Sequence, residues 1–139
     1  MRLAFIIGGG ADGLKVADWL WHIACPHGLE VDLLDLEAAG LPEVCSSEVP
    51  TPPAVHDLRP WLAAADAFVV VRPACFPDSL ADWYAPQWRT RPAAFAGLGD
   101  DDDAVARLRP FFATTVAEVI RYGRRGSADR VLSLLKKEK

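Results

Sequence analysis

The chain has 139 residues, of which 51% are hydrophobic and 24% charged, and its formal charge is −4. That balance fits one domain, residues 1–139, with a core of its own; it excludes disordered and fibrous classes and argues against general affinity for nucleic-acid phosphate. No apolar run reaches the roughly 18 to 20 residues that span a bilayer and no signal peptide opens the chain, so no membrane partner and a cytoplasmic location are the expectations.

Arg2 to Ile7 is a continuous apolar run that breaks into Gly8-Gly9-Gly10-Ala11-Asp12-Gly13, which reads as strand, glycine loop and helix start. The helix is expected from Leu14 to Ala24, with Leu14, Ala17, Leu20, Trp21 and Ala24 inward, and Pro26 and Gly28 stop it. Leu29 to Leu36 alternates and reads as a strand near one edge. Residues 37–55 carry Gly40, Pro42, Pro50, Pro52 and Pro53 without periodicity and read as a long loop with room for one helical turn. A short helix from Asp57 to Ala64 follows, with Leu58, Trp61 and Leu62 inward.

Ala65 to Val71 is apolar on nearly consecutive positions, the pattern of a strand covered on both faces in mid-sheet, and Pro73 ends it. Leu80 to Trp88 reads as a helix that Pro86 distorts or ends, and Pro92 to Gly99 as a fourth strand running into a glycine-containing loop. Asp101 to Ala113 is expected as a helix burying Val105, Leu108 and Phe112, and Thr115 to Tyr122 as a final edge strand. The closing helix, Ser127 to Lys137, sets Val131, Leu132 and Leu135 inward. Alternating strands and helices of these lengths predict an α/β three-layer sandwich of five parallel strands, flavodoxin-like in its order 2-1-3-4-5. The loops at Gly8 and Pro73 then meet at one crevice at the strand carboxyl ends.

These segments, above all Leu3 to Gly8, Val31 to Leu36, Ala64 to Val71 before a proline, Asp82-Trp83 through Arg91-Pro92, and Leu108-Arg109, resemble the NAD(P)H-dependent FMN reductase family. The resemblance implies a flavodoxin-like fold, FMN as cofactor, NAD(P)H as reductant wherever FMN is bound, and a homodimer. It places FMN at Gly8, Gly9, Gly10, Gly13 and Lys15, at Pro73, Ala74, Cys75 and Phe76, and at Gly97, Leu98, Gly99 and Asp100. The ligand loops depart from the family's form. Where the family's first loop reads Gly-Ser-x-Arg, this chain has Gly8, Gly9, Gly10 and Ala11, with Lys15 the nearby cation; a phosphate cradle and a plain chain reversal both fit. Where the second reads Pro-Glu-Tyr-Asn, Pro73 is followed by Ala74-Cys75-Phe76; Phe76 fits a ring-stacking role or a core position. The third runs into Asp100-Asp101-Asp102-Asp103, of which at least one is expected to cap a helix.

The departures imply a divergent relative that has lost normal FMN binding and uses the crevice to bind or convert a small organic molecule by acid–base chemistry. Its candidate catalytic residues are Asp78, Asp82, Cys75 and His56, with Ser79 and Tyr84 also facing the crevice. A working NAD(P)H-dependent FMN reductase of a flavin, quinone or related acceptor is the alternative, and a non-catalytic interaction protein the third. Cys75 as a nucleophile needs a cation, and strand geometry turns Arg72 to the opposite face. His22, Cys25 and His27 are read as helix-end histidines beside a buried cysteine, not as a metal site. The odd count of three cysteines argues against a disulfide framework.

Overall fold

The computed structural model describes residues 1–39, 53–76, 84–99 and 101–138. Strands β1 (Arg2–Ile7), β2 (Glu30–Asp35), β3 (Ala67–Val71), β4 (Pro92–Gly97) and β5 (Thr114–Thr115) lie in the order β2-β1-β3-β4-β5, and a short β6 (Ile120–Arg121) also pairs with β4. Every pairing is parallel, with Phe5 opposite both Leu33 and Val69, and Val70 opposite Phe95. The predicted order holds, with β6 as a small addition.

Period-two alternation divides the central strands between two cores. Leu3, Phe5 and Ile7 of β1 join Val69 and Val71 of β3 beneath α1 (Gly10–Ala24) and α6 (Arg125–Glu138), where Val16, Leu20, Val131, Leu132 and Leu135 close the layer. Ala4, Ile6, Phe68, Val70 and Phe95 face the other way, toward Leu62 of α3 (Pro53–Ala64), Trp88 of α4 (Ala85–Trp88) and Val105 and Leu108 of α5 (Asp102–Leu108). Because both faces are covered, all five residues of β3 are buried. The single turn α2 (Leu36–Ala39) follows β2, started by Asp35, whose Oδ1 accepts the Glu37 N–H at 3.0 Å.

Several boundaries differ from the sequence expectation. α1 begins four residues early, and its buried stripe is Gly13, Val16, Ala17, Leu20, Ile23 and Ala24. Leu14 and Trp21 are therefore not inward; they stand 44% and 37% exposed. Residues 37–55 are not wholly loop, since α2 reaches Ala39 and α3 starts at Pro53; residues 40–52 lie outside the described part. Within α3 Leu62 is buried but Trp61 is half exposed. Pro86 sits in the first turn of α4, where its missing N–H costs nothing, and residues 80–83 of the expected helix lie outside the described part.

The expected strand from Thr115 to Tyr122 is broken into β5 and β6, and Arg109 supplies the reason. Its guanidinium donates to Thr115 Oγ1 at 2.8 Å, to the Val116 carbonyl at 3.1 Å and to the Ala117 carbonyl at 3.0 Å. These three bonds hold residues 115–117 toward Arg109 between the two short strands. Among the described residues, no helix is long and apolar enough to cross a membrane.

Candidate functional site

The carboxyl ends of β1, β3 and β4 bring three loops together. Gly8 N donates to the Val71 carbonyl at 3.2 Å, so the first loop is stitched to the end of β3. Gly9 and Gly10 both adopt positive φ, 78° and 56°, which lets the chain turn directly into α1. Side chains of this protein crowd that turn. A Cβ on Gly8 would meet the Cys75 carbonyl oxygen at 3.0 Å and Cys75 Cβ at 3.1 Å; one on Gly10 would meet Glu37 Oε2 at 2.8 Å.

Arg72 departs from strand geometry. Its φ is 59°, it is the one non-glycine residue with positive φ among the described residues, and it leads into a 3-10 turn, Pro73–Cys75. The proline that follows disfavours the right-handed helical region for Arg72, and the 3-10 turn is entered from the left-handed one. The flip carries the side chain to the glycine loop and not to the opposite face. Arg72 Nε and Cys75 Sγ each lie 3.3 Å from the point a Cβ on Gly9 would occupy. Cation and thiol thus share one corner of the rim. Because a left-handed backbone tolerates glycine and penalises branched side chains, Arg72→Gly is expected to be more stable than Arg72→Val by about 2 kcal/mol, read from urea unfolding of the two variants.

The third loop is tied down by Asp101, which is only 2% exposed. Asp101 precedes α5 without making a side-chain cap there. Instead its Oδ1 accepts the Ala74 N–H and its Oδ2 the Leu98 N–H, each at 3.3 Å, so one carboxylate joins the loops after β3 and β4. Gly97 must be glycine, because a Cβ there would overlap this carboxylate. Asp101→Ala is expected to cost about 2 kcal/mol and to speed hydrogen exchange at the Ala74 and Leu98 amides, with the rest of the sheet unchanged.

The remaining expected site residues are dispersed. Lys15 does not turn to the glycine loop; its Nζ lies 5.2 Å from the Tyr122 ring centroid, on the side of α1 that faces α6. Phe76 is buried and packs edge-on against Trp88, so it is core. Tyr84 is equally buried rather than facing the crevice, and desolvation pushes its phenol up to about 12. Gly13 is buried at the contact of α1 with the end of β1, whereas Leu98 and Gly99 are exposed at the rim. His56 falls within α3 and not in a loop. Asp78, Ser79, Asp82 and Asp100 lie outside the described residues.

His22 pairs with Asp18 at 3.6 Å and His27 Nε2 with Asp129 Oδ1 at 2.9 Å, while Cys25 is exposed, not buried. No group of three or more possible metal ligands occurs among the described residues. Arg72 and Asp101 are the two rim residues that sequence reasoning placed wrongly or left in a run; the Arg-Pro step after a buried strand was the available signal for the first.

A family model described as NADPH-dependent FMN reductase matches residues 1–125. The flavoenzyme NAD(P)H:(acceptor) oxidoreductase FerB from Paracoccus denitrificans superposes with a TM-score of 0.68 at 19% identity, over 98% of this chain and 97% of that one. An NAD(P)H:quinone oxidoreductase from Methanothermobacter marburgensis gives 0.60 at 13% identity, over 99% and 96%. A flavodoxin point mutant from Pseudomonas aeruginosa gives 0.55 at 20% identity, over 98% and 99%. At these identities the likeness is one of fold. No curated protein matches the sequence. A match running from β1 to the start of α6, across all three rim loops, on a parallel sheet of order β2-β1-β3-β4-β5, places this chain in the NADPH-dependent FMN reductase family.

Proposed function

We propose that this family member no longer holds FMN in the family's manner, and that its crevice binds a small organic molecule and converts it by acid–base chemistry. The observation that carries this reading is the Asp101 carboxylate, which takes the Ala74 and Leu98 N–H groups. Those two loops are the ones expected to line a flavin ring, and here their donors serve the chain's own side chain. The first loop offers neither hydroxyl nor its own guanidinium, and Glu37 stands against Gly10. A dianionic phosphate seated there would meet that carboxylate, and Asp12 in the first turn of α1, at close range. The donor set does not fit FMN.

In this reading Asp78 and Asp82 are the proton-transfer groups, with His56 and Cys75 as further candidates. Cys75 is exposed at the rim beside Arg72. Arg72 would orient an anionic group of the substrate, since a guanidinium holds carboxylates in a fixed geometry. A homodimer and a cytoplasmic location belong to the same reading; Trp21 and Trp61 offer exposed apolar surface for the former.

One observation favours a second reading, an FMN-dependent NAD(P)H oxidoreductase. Arg72 brings to Gly9 the cation that the family's first loop carries in its own sequence. The spectrum of the purified protein separates the two. The first reading expects no absorbance at about 450 nm and no quenching of added FMN fluorescence. Co-purifying flavin, or saturable quenching that Arg72→Ala abolishes, would overturn it in favour of the oxidoreductase.

A further inference from the structure

A groove of about 440 Å3 runs between α1 and the start of α6, on the face of α1 turned from β2 and apart from the crevice. Lys15, Trp19 and His22 recur at helical spacing along α1, and Tyr122 and Arg125 close the groove from the other side. Its floor is aromatic: the Trp19 and Tyr122 rings meet edge to face with centroids 5.4 Å apart, over buried Ile23. Its rim is basic. Lys15 Nζ stands 5.2 Å above the Tyr122 ring, Arg125 enters opposite, and the lining carboxylate, Asp18, is 3.6 Å from His22. Arg125 itself lies 3.7 Å from Asp129, an exposed pair of long reach that contributes little and leaves the guanidinium able to turn to a second carboxylate.

In a chain of net charge −4, cations gathered over a two-ring floor select one kind of ligand. We propose that this groove binds a small aromatic anion, one or two fused rings bearing a carboxylate, with the rings on Trp19 and Tyr122 and the carboxylate between Lys15 and Arg125. Lys15 already forms a cation–π contact there, so a ligand ring can slide beneath it and exchange one aromatic face for another. The site is independent of whether the crevice holds flavin.

Amide and indole NMR shifts of the full chain test this with 1-naphthoate as probe and 1-naphthylmethylammonium as its cationic counterpart. Saturable shifts of the Trp19 indole and Tyr122 amide with naphthoate are expected, with the ammonium at least about tenfold weaker. The double variant Lys15→Glu/Arg125→Glu, whose altered side chains are both exposed, should keep its spectral dispersion and reverse that order. Equal response to both probes, shifts centred on other tryptophans, or no saturation at millimolar probe would overturn the assignment.

Discussion

Gly13→Ala is expected to lose about 3 kcal/mol of stability, although alanine is the better helix former by about 1 kcal/mol. Gly13 lies inside α1 with ordinary helical backbone, so no conformational reason demands glycine there. The reason is contact. A Cβ at this position would overlap the Gly8 carbonyl oxygen and come within 2.9 Å of its carbon and 3.1 Å of Ile7 Cγ2. Neither neighbour can yield cheaply, because Gly8 is held by its bond to Val71 and by Cys75 behind it. α1 would have to lift from the sheet and take Val16, Leu20 and Ile23 with it. Urea unfolding against Gly126→Ala is the measurement. Gly126 is in α6, where an added Cβ meets only the end of the Arg130 side chain at 3.4 Å, so that variant should match or slightly exceed the parent. Equal midpoints for both variants would mean that α1 is not seated this closely. Gly13 is thus explained as framework before any ligand is invoked.

Gly13 and Leu14 mark the boundary between what a sequence conveys and what it does not. β1, β3 and β4 are legible because burial on both faces leaves no room for polar residues, so they read as unbroken apolar runs. α1 is apolar over much of its circumference, through Leu14, Val16, Ala17, Trp19, Leu20, Trp21 and Ile23, and periodicity alone admits more than one inward stripe. Close approach of Gly13 and Ala17 to the sheet chooses the stripe, and that is a tertiary fact. The rim was harder still. Asp101 acts on backbone N–H groups, one of them 27 residues away, and no pattern in a run of four aspartates singles it out. Arg72 turns to the glycine loop and not to the opposite face because alternation holds only for strand dihedrals, and those end at Val71.

Trp88→Ala should cost more than Gly13→Ala, about 4 kcal/mol of the roughly 5 to 15 that a domain of this kind possesses. The ring is 1% exposed and is the hub of the second core, with centroids at 4.8 Å from Phe68, 5.6 Å from Phe112, 5.9 Å from Tyr84 and 6.0 Å from Phe76. Phe68 comes from β3, Phe76 from the turn that follows it, Tyr84 from the residue just before α4 and Phe112 from the turn beyond α5, so no one element can move in to fill the void. Trp88→Phe keeps most of the contacts and should lose less than half as much. A second readout separates loss of packing from general unfolding. Tyr84 sits at about 12 chiefly because burial disfavours its phenolate. A cavity that admits water relieves that penalty, so in the folded alanine variant the Tyr84 phenol should ionise at lower pH than in the parent, moving back toward 10 as followed by tyrosinate absorbance. In the parent the sign runs the same way for stability: the unfolded chain gives up this proton near pH 10 and the folded one only near 12, so alkali above pH 10 favours unfolding. An alanine variant with unchanged urea midpoint and unchanged Tyr84 titration would show that the ring is not the hub, and that Phe76 and Tyr84 are held in place by something other than Trp88.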